Sequence, residues 1–101
     1  MKLLMVTSVE AFHNDILQLF KKAGIQNFSE SDIGGHKTVA PIMTSSNWFA
    51  AGKSGTQSNL FFSFTEDKNI DTMFNLLREY NNNLETNNPI RAVVLPIERI
   101  L

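Results

Sequence analysis

The triplet Gly52-Lys53-Ser54 is the first feature of this sequence whose residue types and spacing could do chemistry. In phosphate-binding loops, a lysine beside a glycine and a hydroxyl holds an anion together with backbone amides. Such a loop needs another glycine five residues earlier, where this sequence has Asn47, and a helix must follow it. A strand is predicted to follow here instead. Lys53 is therefore either a candidate anion contact in a loop or a solvated lysine.

The chain has two histidines, His13 and His36. His13 falls on the polar side of a predicted helix, where we expect it to be exposed. His36 comes directly before Lys37 and close to Asp32, so His36 and Lys37 are candidate ligand contacts or ordinary surface residues. A single histidine cannot hold zinc without carboxylates or other ligands, and we predict no metal site.

Trp48 and Phe49 lie side by side in a stretch of mostly small and polar residues. Large aromatic side chains in such a stretch are costly unless they dock against another surface. They either contact a partner protein, as interface hot spots do, or fold back onto their own assembly. Together with Lys53 they form the predicted partner-contacting part of the loop.

The composition excludes several classes of function. The chain has 101 residues, 43% of them hydrophobic, and we expect one domain over residues 1–101. Nine basic and ten acidic side chains give a net charge of −1, which argues against a nucleic-acid partner. The absence of cysteine excludes disulfides, Cys-ligated zinc and a thiol nucleophile. The acidic residues and histidines form no acid–base pair and no Ser-His-Asp set, so we predict no enzyme.

The apolar segments are too short for a membrane span, which needs roughly 20 consecutive apolar residues. Residues 3–6 form an apolar run that breaks at Thr7 and Ser8, without the longer core and cleavage site of a signal peptide. We therefore expect a cytoplasmic protein with no transmembrane segment.

Hydrophobic periodicity predicts two strand–helix–strand units separated by a long loop. Ile16, Leu19 and Phe20 fall on one face of a helix that ends at Gly24. The predicted order is strand 2–9, helix 11–23, strand 25–33, loop 36–59, strand 60–64, a helix from 66 that fades into 81–83, and strand 90–97. A structureless segment as long as 36–59 inside a compact domain is usually functional or disordered.

With right-handed crossovers, this order predicts an α+β, ferredoxin-like fold of the type βαβ-βαβ. It is a four-stranded antiparallel sheet with two helices on one face and a long insertion between strands 2 and 3. The other face has no helix to cover it. Because the short strands are rich in apolar residues, some of them must lie on this face, and a bare apolar face predicts self-association. The apolar residues in question are Phe61, Phe62, Phe64, Val93, Val94 and Leu95.

Several short motifs resemble, in order and spacing, those of the PII-like signalling proteins. Ala23-Gly24-Ile25 is similar to the family's helix end, and Ile33 and Gly35 fall where the family enters its long T-loop. Residues 93–98, Val-Val-Leu-Pro-Ile-Glu, resemble its last strand. The resemblance covers nearly the whole chain. It implies a homotrimer whose sheets face one another, with residues 36–59 as a T-loop-like insertion.

The resemblance also implies a small effector, such as an adenine nucleotide, in the clefts between subunits. Ser29 falls where the family has a threonine near the adenine, Gly35 at the T-loop entrance, and Arg91 where a lysine reaches phosphate. With His36 and Lys37, these residues are the predicted ligand site. The long loop would then contact a protein target such as a transporter or an enzyme.

The chain also departs from the PII-like pattern. Asn87-Asn88-Pro89 replaces a glycine-rich motif, and the single tyrosine, Tyr80, falls on the second helix and not in the loop. An alternative therefore stays open at this stage. It is a CutA-like or metal-efflux-associated protein, with a role in metal homeostasis or protein interaction and no nucleotide binding.

Overall fold

The chain folds into two strand–helix–strand units that share one sheet. The computed structural model describes residues 1–36, 56–84 and 88–101. Its elements are strand β1 (Lys2–Val9), a 3-10 helix (Glu10–Phe12), helix α1 (His13–Lys22), strand β2 (Ser29–Gly35), strand β3 (Thr56–Thr65), helix α2 (Asp67–Asn82) and strand β4 (Arg91–Pro96).

The four strands form an antiparallel sheet in the order β2-β3-β1-β4. β1 pairs with β3 on one side and with β4 on the other, so that Leu4 lies between Ser63 and Val94. β2 pairs with β3 and forms the opposite edge. The predicted α+β, ferredoxin-like arrangement is confirmed.

Both helices cover the same face of this sheet. Leu4, Val6 and Phe61 are fully buried there. They meet Ile16 and Phe20 of α1 and Met73 of α2, which are also fully buried. Each helix presents one apolar stripe to the sheet, which is why a period of 3.6 residues identifies it in the sequence.

The other face carries apolar side chains as well, because successive residues of a strand point to opposite sides. We call it the open face and define it by Leu3, Met5, Phe62, Phe64, Val93 and Leu95, which pair with one another across β3, β1 and β4. Phe64 is 50% exposed and Leu95 44% exposed. In the described residues, no helix covers this face.

The predicted start of the second strand, residue 25, is wrong by four residues. Gly24 has φ 77°, a conformation that suits glycine. It ends α1 while the Ile25 amide donates to the Phe20 carbonyl at 3.0 Å. The Phe28 ring stacks on the Phe20 ring at 4.3 Å. Residues 25–28 therefore cap the helix and return the chain to the sheet, and β2 begins only at Ser29.

The predicted loop 36–59 also extends too far at its end, because β3 begins at Thr56. Residues 56–59 pair with Asp32 to Gly35 of β2. Residues 56–59 are all polar and show no alternation of apolar side chains, which is the signal on which a strand prediction depends. A strand segment that is held by backbone hydrogen bonds can form without alternating apolar side chains.

Tyr80 ties the two helices together. Its hydroxyl donates a hydrogen bond to the Asp15 carboxylate of α1, and its ring meets Phe12 edge-on at 5.9 Å between centroids. Burial, followed by the hydrogen bond to Asp15, raises the pKa of Tyr80 to about 12. The tyrosine is thus a neutral structural donor.

The connection between α2 and β4 is closed by one side chain, Asn81. Its Nδ2 donates to the Ile90 carbonyl at 2.9 Å, and its Oδ1 accepts from the Ile90 amide at 2.9 Å. The amide therefore binds the backbone of residue 90 in the way that a neighbouring strand would. This pair of hydrogen bonds, which we call the Asn81 clamp, fixes where β4 begins.

Replacing Asn81 by alanine is expected to destabilise the fold by about 1–2 kcal/mol, because two hydrogen bonds to a buried backbone position are lost. Urea denaturation followed by circular dichroism measures the change. Asn82→Ala, on the exposed neighbouring residue, is the matched control and should change stability by less than about 0.5 kcal/mol. Equal effects of the two substitutions would contradict the clamp.

Candidate ligand-binding site

A depression of about 430 Å³ lies where β2 begins, beside the open face. We call it the Ser29 pocket. Its lining residues are Gln26, Asn27, Phe28, Ser29, Phe62, Ser63 and Phe64. It combines three aromatic rings with amide and hydroxyl groups, a mixture of apolar walls and a few polar groups that is typical of pockets for small ligands.

The register of the sheet positions the two sides of this pocket. Ser29 pairs directly with Phe62. The rings of Phe62 and Phe64 meet edge-on, 6.4 Å apart at an interplanar angle of 85°. The Ser63 hydroxyl donates to the Asn27 carbonyl at 2.6 Å and holds the chain against β3 just before β2 begins. The pocket wall is thus fixed by strand pairing, by a hydrogen bond from a side chain to the backbone and by a contact between two rings.

The other predicted ligand residues lie far from Ser29 within one chain. Gly35 is at the opposite end of β2, six residues and about 20 Å away along the strand. Arg91 begins β4, at the other edge of the sheet, where it pairs with Thr7. Three strand spacings, about 14 Å in all, separate the two edges. A single subunit therefore does not bring Ser29, Gly35 and Arg91 to one ligand.

His36 follows β2 directly and is exposed. Its Nε2 lies 3.4 Å from the position that a Cβ on Gly34 would occupy, so the imidazole folds back over the end of the strand. The remaining predicted contacts, which are Lys37 of the ligand site and Trp48, Phe49 and Lys53 of the partner-contacting part, lie outside the described residues.

His13 is not the free surface residue that its helical position suggests. Its Nε2 lies 2.5 Å from the Glu30 carboxylate of β2, and its side chain is only 31% exposed. Its ring lies 5.8 Å from the fully buried ring of Phe61. The hydrogen bond to Glu30 raises the pKa of His13 above 6.5, against a smaller opposing effect of burial, with further support from the charge of Asp32.

The ion pair His13–Glu30 has a functional position that the sequence did not reveal. Glu30 is the neighbour of Ser29, so the pair anchors the beginning of β2, and with it the Ser29 pocket, to α1. The contact joins residues 17 positions apart on different elements. No local pattern of charge or polarity indicates such a contact.

Asn59 makes a second polar link on the helix-covered face. Its Nδ2 donates to Asp32 of β2 at 2.9 Å. Its Oδ1 and the hydroxyl of its register neighbour Ser8 are buried and, among the described residues, have no hydrogen-bond partner. Buried polar atoms of this kind are usually satisfied by ordered water. Asn59 was expected in a loop, so this link was also missed.

Comparison with known proteins identifies the fold. No protein-family model and no curated protein matches the chain. Among solved structures, CPII from Thiomonas intermedia K12, a nitrogen regulatory PII-like protein bound to ADP, AMP and bicarbonate, is similar with a TM-score of 0.63. The similarity covers 99% of this chain and 94% of that one at 9% identity. The fold is PII-like.

A second structure of CPII from the same organism, bound to ADP, AMP and acetate, has a TM-score of 0.65 at 8% identity. It covers 97% of this chain and 88% of that one. The PII-like fold confirms what the collinear motifs of the sequence predicted. At this identity the similarity establishes the fold alone.

The described residues hold neither a cluster of metal ligands nor a membrane-spanning helix. In residues 1–36, 56–84 and 88–101, no three His, Asp or Glu side chains gather as metal ligands would. Neither α1 nor α2, the α-helices of the described part, is long and apolar enough to cross a bilayer.

The pair His13–Glu30 predicts that stability falls as the pH rises. The pKa of His13 is above 6.5 in the folded chain and about 6.5 in the unfolded one. The stabilisation is therefore complete below pH 6.5 and is lost as the pH rises through the folded-state pKa. We expect the urea midpoint of the wild type to fall between pH 6 and 9 by more than that of Glu30→Gln.

Proton NMR of the imidazole signals measures the same effect directly, since Glu30→Gln should lower the pKa of His13. Glu10→Gln is the matched control, because Glu10 is exposed and lies in the neighbouring 3-10 helix. A His13 signal that titrates at or below 6.5 in the wild type would rule out the pair.

Proposed function

We propose that this chain is a PII-like regulatory protein in which residues 1–101 form one domain and three copies assemble into a homotrimer. It binds a small effector, such as an adenine nucleotide, in the clefts between subunits. The observation that carries the proposal is the Ser29 pocket, which opens beside the apolar open face of a PII-like fold. The role is regulatory and not catalytic.

The open face supports self-association. Phe64 of β3 and Val93 and Leu95 of β4 are at least one third exposed. They lie on either side of β1, whose Leu3 pairs with both Phe64 and Leu95 and makes the apolar surface continuous. Burying apolar surface contributes roughly 25 cal/mol per Å², and a second copy offers a face of the same kind. Sheets that pack face to face, about 10 Å apart, bury such side chains on both partners.

Assembly also accounts for the separation of the predicted ligand residues. Ser29 and Arg91 lie at opposite edges of one sheet. In a closed ring of subunits, the beginning of β2 with Ser29 lies near the Arg91 end of the neighbour's β4. Arg91 of the neighbouring subunit would then complete the cleft that the Ser29 pocket begins.

The chemistry of the two edges suits a nucleotide. Phe62 and Phe64 offer aromatic surface to a base, an interaction that tolerates any planar ring. The Ser29 hydroxyl can donate to or accept from a ring nitrogen. A guanidinium such as that of Arg91 binds phosphate oxygens through two parallel hydrogen bonds. The similar CPII structures are described as bound to ADP and AMP.

In the proposed regulator, the long loop is the part that contacts the target protein. Gly35, His36 and Lys37 lead from β2 into it, and because Ser29 begins the same strand, β2 would connect an effector at Ser29 to the start of the loop. We assign Trp48, Phe49 and Lys53 to the contact with a target protein in the cytoplasm, such as a transporter or an enzyme. Aromatic side chains beside a cation are typical of interface hot spots.

Isothermal titration with ADP, AMP and ATP tests the ligand. We expect binding to the wild type and a loss of about 10- to 100-fold in affinity for Arg91→Ala, because charge-assisted hydrogen bonds to phosphate contribute about 1.5–3 kcal/mol. Lys22→Ala, which removes one exposed positive charge from the end of α1, is the control. No binding of any adenine nucleotide would overturn the proposal, and a response to divalent metals alone would support the CutA-like alternative.

Sedimentation velocity tests the assembly. Phe64→Asp places a charge on the open face, and we expect a folded monomer where the wild type is a trimer, because a buried unpaired carboxylate costs several kcal/mol. Circular dichroism should be unchanged, since Phe64 lies outside the helix-covered core. Lys22→Asp, which adds the same side chain to the exposed surface of α1, should leave the trimer intact. A monomeric wild type would contradict the trimer.

A further inference from the structure

A groove of about 450 Å³ runs between α2 and the edge strand β4 on the helix-covered side of the sheet. Its floor is apolar and is formed by Ile70, Phe74 and Val94. Its rim is polar and is formed by Asp71, Asn75 and Arg78. Neither the Ser29 pocket nor the open face shares a residue with it.

The groove has a defined shape at both ends. Arg78 lies over the Phe74 ring at 5.7 Å and donates to the Asn75 side chain at 3.0 Å, which holds its guanidinium on the rim. At the other end, Lys2 and Asp67 form an ion pair at 2.9 Å. Between these ends α2 advances by about 16 Å.

Within the part of the chain that the structure describes, the strand beside the groove has one unpaired edge. Among the described strands, β4 pairs with β1 alone. A free strand edge next to an apolar groove lined by a helix is the arrangement that accepts an extended peptide as an added strand. Backbone hydrogen bonds then supply affinity, and alternate side chains of the peptide enter the groove.

Residues 97–101, Ile-Glu-Arg-Ile-Leu, match this groove in length and chemistry. When extended, the last four of them, residues 98–101, span about 13 Å and fit within the length of the groove. Ile100 is 69% exposed, and Leu101 is exposed as well. The positive charge of Arg99 is opposite in sign to Asp71 on the rim. In its own subunit this segment cannot enter the groove, because it leaves β4 at Pro96, beside Lys2, and a reversal would consume at least two of the five residues.

We propose that residues 98–101 of one copy add as a short strand to β4 of a neighbouring copy. Alternation then directs Arg99 and Leu101 into the groove, with Arg99 next to Asp71 and Leu101 on the apolar floor. Ile100 points to the other side, where it extends the open face beyond Val93 and Leu95. This exchange of segments rests on the self-association part of the proposed function.

Cysteine cross-linking tests the exchange, because the chain contains no cysteine of its own. Asn75→Cys and Leu101→Cys proteins of different mass are mixed, allowed to exchange subunits and oxidised. We expect a disulfide-linked heterodimer. The pair Asn82→Cys and Leu101→Cys is the control, since Asn82 is exposed on α2 but does not line the groove. No heterodimer, or equal yields from both pairs, overturns the proposal.

Charge reversal gives an independent readout. Asp71→Arg in one protein, or Arg99→Glu in the other, should each lower the cross-link yield about two- to fivefold, as expected for an exposed ion pair. The two reversals together should restore it. Sedimentation velocity of the same samples distinguishes failure of the self-association from failure of the exchange of residues 98–101. A monomer rejects the assembly, whereas a trimer without the cross-link rejects only the exchange. If Asp71→Arg and Arg99→Glu together do not restore the cross-link, the exchange is also rejected.

Discussion

The alternation of side chains along a strand is the constraint on which this structure depends. In β1 the residues on both sides of the chain are apolar, and the same is true of β3 and β4. The two helices cover only one face of the sheet, where Leu4, Val6 and Phe61 are fully buried. One face of the sheet therefore lies in the hydrophobic core, and the other is an exposed apolar surface. The same strands thus stabilise the folded subunit and supply the surface for its association with other copies.

The candidate site follows from that arrangement. The Ser29 pocket lies at the border between the two faces, since Phe28 packs on Phe20 under the helices while Phe62 and Phe64 belong to the open face. Its position depends on how β2, the most polar strand, is held. Pairing with β3, the ion pair from His13 and the link from Asn59 to Asp32 replace the apolar contacts that β2 lacks.

How much of this the sequence could predict depended on the kind of contact involved. β1 was predicted because it is a short apolar run that ends in polar residues, and α2 because its apolar residues recur every three to four positions. The beginnings of β2 and β3 were missed, because residues 25–28 serve a helix cap and residues 56–59 pair through backbone alone. The PII-like likeness singled out Ser29, which lines the pocket. The pair His13–Glu30 could not be found, since only the folded chain brings its partners together.

The Asn81 clamp has a consequence for how this fold can change. Asn81 holds Ile90 directly, so the register of β4 does not depend on how many residues lie between them. Lengthening a closed loop is inexpensive, at about 0.6 kcal/mol for each doubling. The turn after α2 is thus a place where insertions can be accommodated and new specificities grafted, while the central sheet keeps its alignment.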